Sequence, residues 1–229
     1  MLAVDLWLPL HSPPGGDEHG HATTLLTKIN GGVLLSRLDD FVVLWKRHGH
    51  DWTWAEYAQA LARLHAGLRW IEVPTPHVMD RVAATRRDVA DRDVAPDLAE
   101  TDRVLLADTL RDLGRSIVDR RGAEQLLHGE PHPFNILDTR NGPLFVDFEN
   151  TARGPVEYDL AWAPREVVQH YPDADQDLVG ECRGIVLAIV AAHRWRRDDQ
   201  HPSGRESGVA FLRAVREGPP WPTLDEVVW

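Results

Sequence analysis

The segment between residues 128 and 149 constrains this chain most, because it carries the signature of a β-hairpin. Asn141-Gly142 stands between two short apolar runs, Ile136-Leu137 and Leu144-Phe145-Val146. An Asn-Gly pair favours a two-residue type I′ turn, since both central positions of that turn need a positive φ. The sequence therefore predicts a hairpin whose turn is centred on Asn141-Gly142.

The two ends of this hairpin carry side chains that suit a hard cation. Asn135 and Asp147 each lie six residues from Asn141, so the hairpin's open end brings an amide oxygen and a carboxylate together. Mg²⁺ prefers such oxygen ligands and keeps other positions for water and phosphate oxygens. Glu130 stands five residues before Asn135, where it is placed to contact a substrate hydroxyl beside the metal. This layout indicates a phosphoryl-transfer site.

The same segment resembles the catalytic loop and metal-binding segment of the aminoglycoside phosphotransferase and choline kinase-like family, relatives of protein kinases. The family reads His-Gly-Asp-x-x-x-x-Asn and then Asp-Trp/Phe-Glu/Asp, matched here by His128, Gly129, Asn135, Asp147, Phe148 and Glu149. Residues 154–161 are similar to its Gly-x-x-x-Tyr-Asp-Leu-Ala run, whose aspartate, here Asp159, braces the active-site loops. Two positions depart from the family pattern: Glu130 replaces the catalytic aspartate, and Phe134 replaces a frequent glycine.

The resemblance implies an α+β, protein kinase-like fold. A reduced β N-lobe with a hinge strand is expected over residues 1–50, and a mainly helical C-lobe carrying the catalytic hairpin over residues 51–229. The implied function is an ATP-dependent, or GTP-dependent, phosphotransferase that transfers a phosphoryl group to a hydroxyl of a small molecule. An aminoglycoside-like compound or an amino alcohol is the expected acceptor.

The resemblance also implies a role for each matched residue. Asp147 and Asn135 bind Mg²⁺, and Glu149 joins the metal site or supports it. Glu130 orients the attacking hydroxyl, while His128 braces the loop by hydrogen bonds and does not react. The nucleotide's adenine is expected against the hinge backbone, at Val43, Leu44, Trp45 and Lys46.

The first 50 residues hold less than a complete kinase small lobe. Gly15-Gly16 predicts a loop tip better than a phosphate-covering loop, and Lys28 is interpreted as a surface lysine. Two alternatives to an active enzyme therefore stay open. The chain is a catalytically impaired kinase-like binding module, or it is a truncated form of an active phosphotransferase.

Composition limits the partners. A net charge of −11 argues against nonspecific binding to nucleic acid or an anionic membrane and is compatible with a cationic acceptor.

No run approaches the roughly 20 apolar residues that span a bilayer, and the start of the chain lacks a basic signal segment, so a cytoplasmic protein is expected. The single cysteine, Cys182, excludes an internal disulfide and is predicted to be a core residue. A shortened small lobe would expose apolar strand surface and favour a homodimer.

Apolar periodicity predicts helices on either side of the hairpin. Thr53 to Glu56 fits a capping box, and the helix after it carries one apolar face, with Tyr57, Leu61, Leu64 and Leu68. Further helices are predicted at about 97–120, along a face formed by Leu178, Cys182, Ile185, Ile189 and Ala192, and over 207–215.

Several polar residues have competing interpretations. His65 is predicted to be a core or inter-lobe histidine and not a ligand. His132 is interpreted as an exposed loop histidine, with a substrate contact as the alternative. A zinc hydrolase built on His128 and His132 is disfavoured, because Pro131 and Pro133 prevent a regular helix there. Acidic residues at 173–181 and 198–199 either line a site for a cationic acceptor or are solvated helix ends.

Overall fold

The computed structural model describes residues 52–120, 122–139 and 142–228. Within these ranges the chain forms two compact units. The hairpin unit contains residues 52–76 and 123–174, and the helical unit contains residues 77–122 and 175–228. The predicted hinge at Val43 to Lys46, Lys28 and Gly15-Gly16 lie outside the described residues, and the boundary at residue 50 stays a prediction.

The described elements alternate between the two units along the chain. In chain order they are α1 (Trp54–Leu68), α2 (Val78–Ala90), α3 (Glu100–Asp119), β1 (Gln125–Leu127), a 3-10 turn (Pro133–Asn135), β2 (Ile136–Thr139), β3 (Gly142–Phe145), β4 (Ala152–Gly154), α4 (Val156–Leu160), α5 (Arg165–His170), α6 (Gln176–Arg194), α7 (Gly204–Glu217) and α8 (Leu224–Val228).

In the hairpin unit, α1 begins at the predicted cap. Thr53 Oγ1 accepts a hydrogen bond from the backbone N–H of Glu56 at 3.2 Å. The Glu56 carboxylate accepts one from the backbone N–H of Thr53 at 2.7 Å, which completes a capping box. The predicted apolar face of α1 is buried and packs against β1, β3 and α5. The unit has two antiparallel two-stranded sheets, β1 with β4 and β2 with β3. Burial of this face holds α1 against both of them.

The hairpin itself is confirmed, but its turn lies one residue earlier than predicted. Ile136 pairs with Phe145 and Thr139 with Gly142, so residues 140 and 141 stand between the strands. Gly142, with φ of 95°, is the first residue of β3 and not the second turn position. Thr139 Oγ1 donates to the Gly142 carbonyl at 2.7 Å and stabilises this register. The shift places Asn135 opposite Val146 and not opposite Asp147.

In the helical unit, α6 is the central element. It packs against α2, α3 and α7, and every residue of its predicted apolar face is buried, Cys182 among them. Asp175 caps α6 by accepting from the backbone N–H groups of Asp177 and Leu178. No helix in the described part of the chain is long and apolar enough to cross a bilayer.

The other predicted helices of this unit are confirmed with shifted ends, and α2 was missed. The predicted helix at 97–120 is Glu100–Asp119, and that at 207–215 extends over Gly204–Glu217. His77 is the N-cap residue of α2, and its ring accepts a hydrogen bond from the backbone N–H of Met79 at 3.0 Å. Histidine is not among the usual N-cap signals, and the buried face of α2 consists largely of valines, which have low helix propensity.

A buried arginine closes the connection between α2 and α3. The Arg103 guanidinium donates to the carbonyls of Val89 at the end of α2, and of Ala95 and Leu98 in the following loop. These carbonyls have no helical partners, and buried acceptors are costly when they are left unpaired. Arg103 therefore stabilises a loop that lacks regular structure.

We predict that Arg103→Met lowers the free energy of unfolding by about 2–4 kcal/mol, because it removes the buried guanidinium that donates to the carbonyls of Val89, Ala95 and Leu98. Urea denaturation measures the change. Arg111→Met, at an exposed ion pair on the same helix, is the matched control and should change the unfolding midpoint little. Equal midpoints for the two variants would contradict this role of Arg103.

Candidate active site

The loop between β1 and β2, residues 128–135, is held by one buried carboxylate. Asp159 Oδ2 accepts from the backbone N–H of His128 at 2.9 Å, and Oδ1 accepts from the backbone N–H of Gly129 at 2.8 Å. Asp159 lies on α4 and has no solvent exposure. Hydrogen bonds from two consecutive amides fix the direction in which the loop leaves β1.

His65 on α1 is the third partner of this carboxylate. Its Nε2 lies 2.9 Å from Asp159 Oδ2, and its Nδ1 lies 2.7 Å from the Tyr171 hydroxyl. The ring is buried, and both nitrogens have partners. The prediction of a core histidine is confirmed.

Gly129 occupies a position that other residues cannot fill. Its φ is 96°, and a Cβ built there would lie 1.9 Å from the carbonyl oxygen of Asn150. Both the left-handed backbone and the close approach of another backbone segment require glycine. Asn150, which the sequence analysis did not single out, therefore forms one wall of the loop.

His128 ties the loop to the hairpin. Its Nε2 lies 2.9 Å from the Val146 carbonyl, which can only accept, and its Nδ1 accepts from the backbone N–H of Glu130 at 3.3 Å. These two roles match a neutral imidazole. Burial lowers the pKa of His128 to about 4, so the ring is uncharged at neutral pH.

The prediction that His132 is an exposed loop histidine is wrong. Its ring is only 6% exposed, lies 6.2 Å from the Trp162 ring, and accepts from the backbone N–H of Phe134 at 3.2 Å. Pro133 begins a 3-10 turn here, and the ring caps the first N–H group of that turn. Burial lowers the pKa of His132 to about 3.

The open end of the hairpin carries the two predicted metal ligands. The backbone N–H of Val146 donates to the Asn135 carbonyl at 2.9 Å, so Asp147 follows directly after the residue paired with Asn135. Asn135 Nδ2 donates to the Glu130 carbonyl at 2.9 Å. Because this bond fixes the amide, Oδ1 is the side-chain atom left for a ligand.

The exposure, backbone conformation and pKa of Asp147 suit a ligand of a cation. It is exposed and adopts φ of 66°, a conformation that non-glycine residues seldom take. Partial desolvation raises the pKa of Asp147, while the backbone N–H of Glu149 lowers it by donating to the carboxylate. A nearby cation would favour the charged carboxylate. Glu149 is also exposed, two residues further on.

The donor set fits Mg²⁺ in chemical type. It consists of an amide oxygen and a carboxylate, with a second carboxylate close in sequence, and Mg²⁺ is commonly held by one or two carboxylates plus water and phosphate oxygens. Among the described residues, no cluster of three or more His, Cys, Asp or Glu side chains is arranged to hold a metal. A donor set of this type suits a cation that is shared with the phosphate oxygens of a substrate.

Comparison with known proteins places this arrangement in a family. Residues 3–181 match the family model described as the phosphotransferase enzyme family, APH. The chain belongs to this phosphotransferase family. Among curated protein sequences, none matches the chain.

Solved structures of phosphotransferases share the fold, which confirms the predicted kinase-like class. Choline kinase LicA from Streptococcus pneumoniae is 12% identical with a TM-score of 0.58, and the aligned region covers 72% of this chain and 62% of LicA. A choline/ethanolamine kinase family protein from Mesorhizobium loti is 16% identical, with a TM-score of 0.57 and coverages of 80% and 66%. The GDP and kanamycin complex of APH(2")-IIia is 21% identical with a TM-score of 0.54, and the aligned region covers 73% of this chain and 64% of that protein. The chain spans less than two thirds of the length of each.

Glu130, which stands in place of the family's aspartate, is buried. Only 3% of its surface is exposed, while its backbone carbonyl accepts from Asn135 and its backbone N–H donates to His128. The extra methylene of glutamate is thus accommodated inside the loop.

Tyr57 is a further loop contact that sequence reasoning missed. The periodicity of α1 places it on the core face, and its ring packs against Phe145 and Trp52. Its hydroxyl donates to the carbonyl of Pro131 in the loop. Periodicity indicates burial but not the partner of a buried hydroxyl, so the sequence carries no signal for this bond.

Four of the acidic residues at 173–181 and 198–199 make structural contacts within the helical unit. Asp175 is a helix cap, and Glu181 accepts from Ser116 and Arg120. Asp198 pairs with Arg196, and Asp199 pairs with Arg194. Their interpretation as structural helix-end residues is the one that the contacts support.

We predict that Gly129→Ala costs about 2 kcal/mol or more of unfolding free energy, because it forces a strained φ and a clash with the Asn150 carbonyl. Gly180→Ala is the matched control, since its Cβ would meet no atom within 4 Å in the interior of α6. That change should stabilise the chain by roughly 0.5–1 kcal/mol. Shifts of the same sign in thermal unfolding would refute the argument.

The buried histidines make stability depend on pH. Unfolded histidine binds its proton near pH 6.5, whereas folded His128 and His132 do so only near pH 4 and 3. The unfolded chain therefore binds more protons below about pH 6.5, and stability falls as the pH drops toward 4.

We predict that the free energy of unfolding decreases from pH 7 to pH 5, and that His128→Asn reduces the slope by on the order of 1 kcal/mol per pH unit. Urea titrations at several pH values measure both slopes. A slope unchanged by the substitution would mean that His128 is protonated in the folded chain.

Proposed function

We propose that this chain transfers the terminal phosphoryl group of ATP or GTP to a hydroxyl of a small molecule. The observation that carries the proposal is the bond from the Val146 N–H to the Asn135 carbonyl, which pairs the backbone of Asn135 with the residue before Asp147 at the open end of the hairpin. Family membership supports the same reaction class. A similar fold binds GDP with kanamycin in one solved structure, and AMP-PNP with Ca²⁺ in an amicoumacin kinase.

In this proposal, Asn135 Oδ1 and the Asp147 carboxylate hold Mg²⁺, with Glu149 as a further ligand or a supporting carboxylate. When bound, Mg²⁺ offsets the charge of the nucleotide's phosphate oxygens. The hydrogen bond from Asn135 to the Glu130 carbonyl keeps the amide oxygen directed away from the loop. The fixed hairpin register keeps both ligands in place before the nucleotide arrives, so little ordering is needed on binding.

Glu130 orients the acceptor hydroxyl and takes its proton. The hydroxyl oxygen forms a bond to the terminal phosphorus, the bond from that phosphorus to the nucleoside diphosphate oxygen breaks, and the diphosphate leaves. Asp159 and His128 keep the loop in position while this occurs. Most of the catalysis then comes from positioning and electrostatics.

The acceptor is proposed to be a cationic small molecule, such as an amino alcohol or an aminoglycoside-like compound. The net charge of −11 favours the approach of a cation over that of nucleic acid or an anionic membrane. Asp175, Glu181 and Asp199 of the helical unit give no further support, since their carboxylates are engaged in a cap and in ion pairs. A cytoplasmic location and a homodimer remain predictions from the sequence.

The burial of Glu130 favours a second candidate function, a nucleotide-binding module without turnover. A carboxylate with 3% exposure is screened from an acceptor unless the loop admits the hydroxyl. Both candidates require the same fold and the same metal ligands. They differ in whether a phosphoryl group leaves the nucleotide.

We predict that Asp147→Asn abolishes phosphotransferase turnover while the fold is kept, because the change removes the charge of a metal ligand at nearly constant volume. Asn135→Ala should also reduce turnover. Asp177→Asn, at an exposed helix start, is the control and should leave turnover unchanged. Full turnover by either hairpin variant would rule out this hairpin as the metal site.

We predict that Glu130→Gln lowers kcat by roughly a hundredfold or more with little change in nucleotide affinity, since a positioned base typically contributes 10²–10⁴. Glu130→Asp is the conservative comparison. Coupled detection of ADP release with candidate amino alcohols measures both variants. If Glu130→Gln and the parent chain release ADP equally, Glu130 does not act in turnover.

A further inference from the structure

Tyr171 is linked to the catalytic loop through two other side chains. Its hydroxyl lies 2.7 Å from His65 Nδ1, and the two rings meet edge to face with centroids 5.6 Å apart. His65 Nε2 reaches Asp159, which holds the amides of His128 and Gly129. Tyr171 is the only partly exposed member of this connection, since His65 and Asp159 are buried.

The direction of each hydrogen bond follows from chemistry. The Asp159 carboxylate already accepts from two backbone N–H groups, so His65 has to present a third donor, Nε2–H, to it. His65 Nδ1 then carries a lone pair, and the Tyr171 hydroxyl is its donor. Burial, followed by the charges of Asp159 and Glu157, raises the pKa of Tyr171 to about 12, so the hydroxyl keeps its proton.

The opposite tautomer of His65 would weaken the loop. With the proton on Nδ1, the lone pair of Nε2 would face the buried carboxylate, and Asp159 would lose one of its three donors. Gln125 Nε2 also donates to the His65 carbonyl at 2.8 Å, which holds the backbone of this residue in place. The choice between the tautomers therefore rests on what contacts Nδ1.

We propose that Tyr171 is a positioning residue for phosphoryl transfer, whose hydroxyl holds His65 in the Nε2–H tautomer and thereby fixes the loop through Asp159. This inference rests on the proposed function, because it gives the fixed loop a role in turnover. The effect reaches the loop without any contact between Tyr171 and a substrate. Loss of the hydroxyl should therefore change kcat more than the KM for nucleotide.

The variant Tyr171→Phe removes the donor and keeps the ring. In the ¹⁵N spectrum of the full chain labelled at histidine, the parent should show His65 with an unprotonated Nδ1, and the variant should show a fraction protonated there. The His65 signals are identified by their absence in His65→Gln. A parent ring protonated at both nitrogens would overturn the proposal.

Hydrogen exchange gives a readout that does not need turnover. Tyr171→Phe should speed exchange of the His128 and Gly129 amides by about tenfold, the loss expected for one hydrogen bond. Val168→Ala, a buried change on α5 beside Tyr171, is the control and should leave these two amides unchanged relative to the rest of the hairpin unit. Unchanged amides in Tyr171→Phe would overturn the proposal.

A double substitution separates the tautomer from simple packing. Glutamine at position 65 can donate to Asp159 through its amide and has no tautomer to select. Tyr171→Phe should therefore change the amide exchange rates less than twofold in the His65→Gln background. An undiminished tenfold effect there would show that Tyr171 acts through packing alone and would overturn the proposal.

Kinetics complete the test. If the parent transfers phosphate, Tyr171→Phe should lower kcat by about tenfold at an unchanged KM for nucleotide. An unchanged kcat in an active parent overturns the positioning role. If the parent shows no turnover but the amides and the His65 spectrum respond as expected, the hydrogen-bonded connection is supported and the proposed function alone fails.

Discussion

The carboxylate of Asp159 accepts hydrogen bonds from two consecutive amides, those of His128 and Gly129, and a third from His65. A buried carboxylate is stable only when such donors replace its lost hydration. Two of these donors belong to the residues directly after β1 and the third lies on α1, while Asp159 itself lies on α4. One side chain thus joins the elements that define the loop, and the site depends on it.

The loop and hairpin keep unusual backbone conformations around this anchor. Gly129 has φ of 96° against the Asn150 carbonyl, and Asp147 has φ of 66° without the freedom of glycine. Strain of this kind persists only where the surroundings determine the conformation. At Asp147 the paired hairpin and the donation from the Glu149 N–H supply that support. The exposed Asp147 carboxylate therefore follows directly after the residue whose backbone pairs with Asn135, and our proposal for a metal site builds on this position.

Patterns local in sequence predicted much of the described fold. The capping box at Thr53, the faces of α1 and α6 and the existence of the hairpin follow from short-range rules, and the structure has them. The hairpin register differs by one residue because Thr139 bonds to Gly142, a contact that turn statistics do not include. The burial of His132 was not predicted because it depends on Trp162, thirty residues away in the chain. The roles of Tyr57 and Tyr171 depend on partners that are still farther away in sequence.

The central claim is that the open end of the hairpin binds a nucleotide together with a divalent cation. Calorimetric titration of the full chain with ATP, in the presence and absence of Mg²⁺, tests it most directly. Binding should be at least about tenfold tighter with Mg²⁺, corresponding to 1.4 kcal/mol or more, and the Asp147→Asn chain should lose that gain. Equal affinity with and without Mg²⁺, or a full Mg²⁺ effect in the substituted chain, would contradict it.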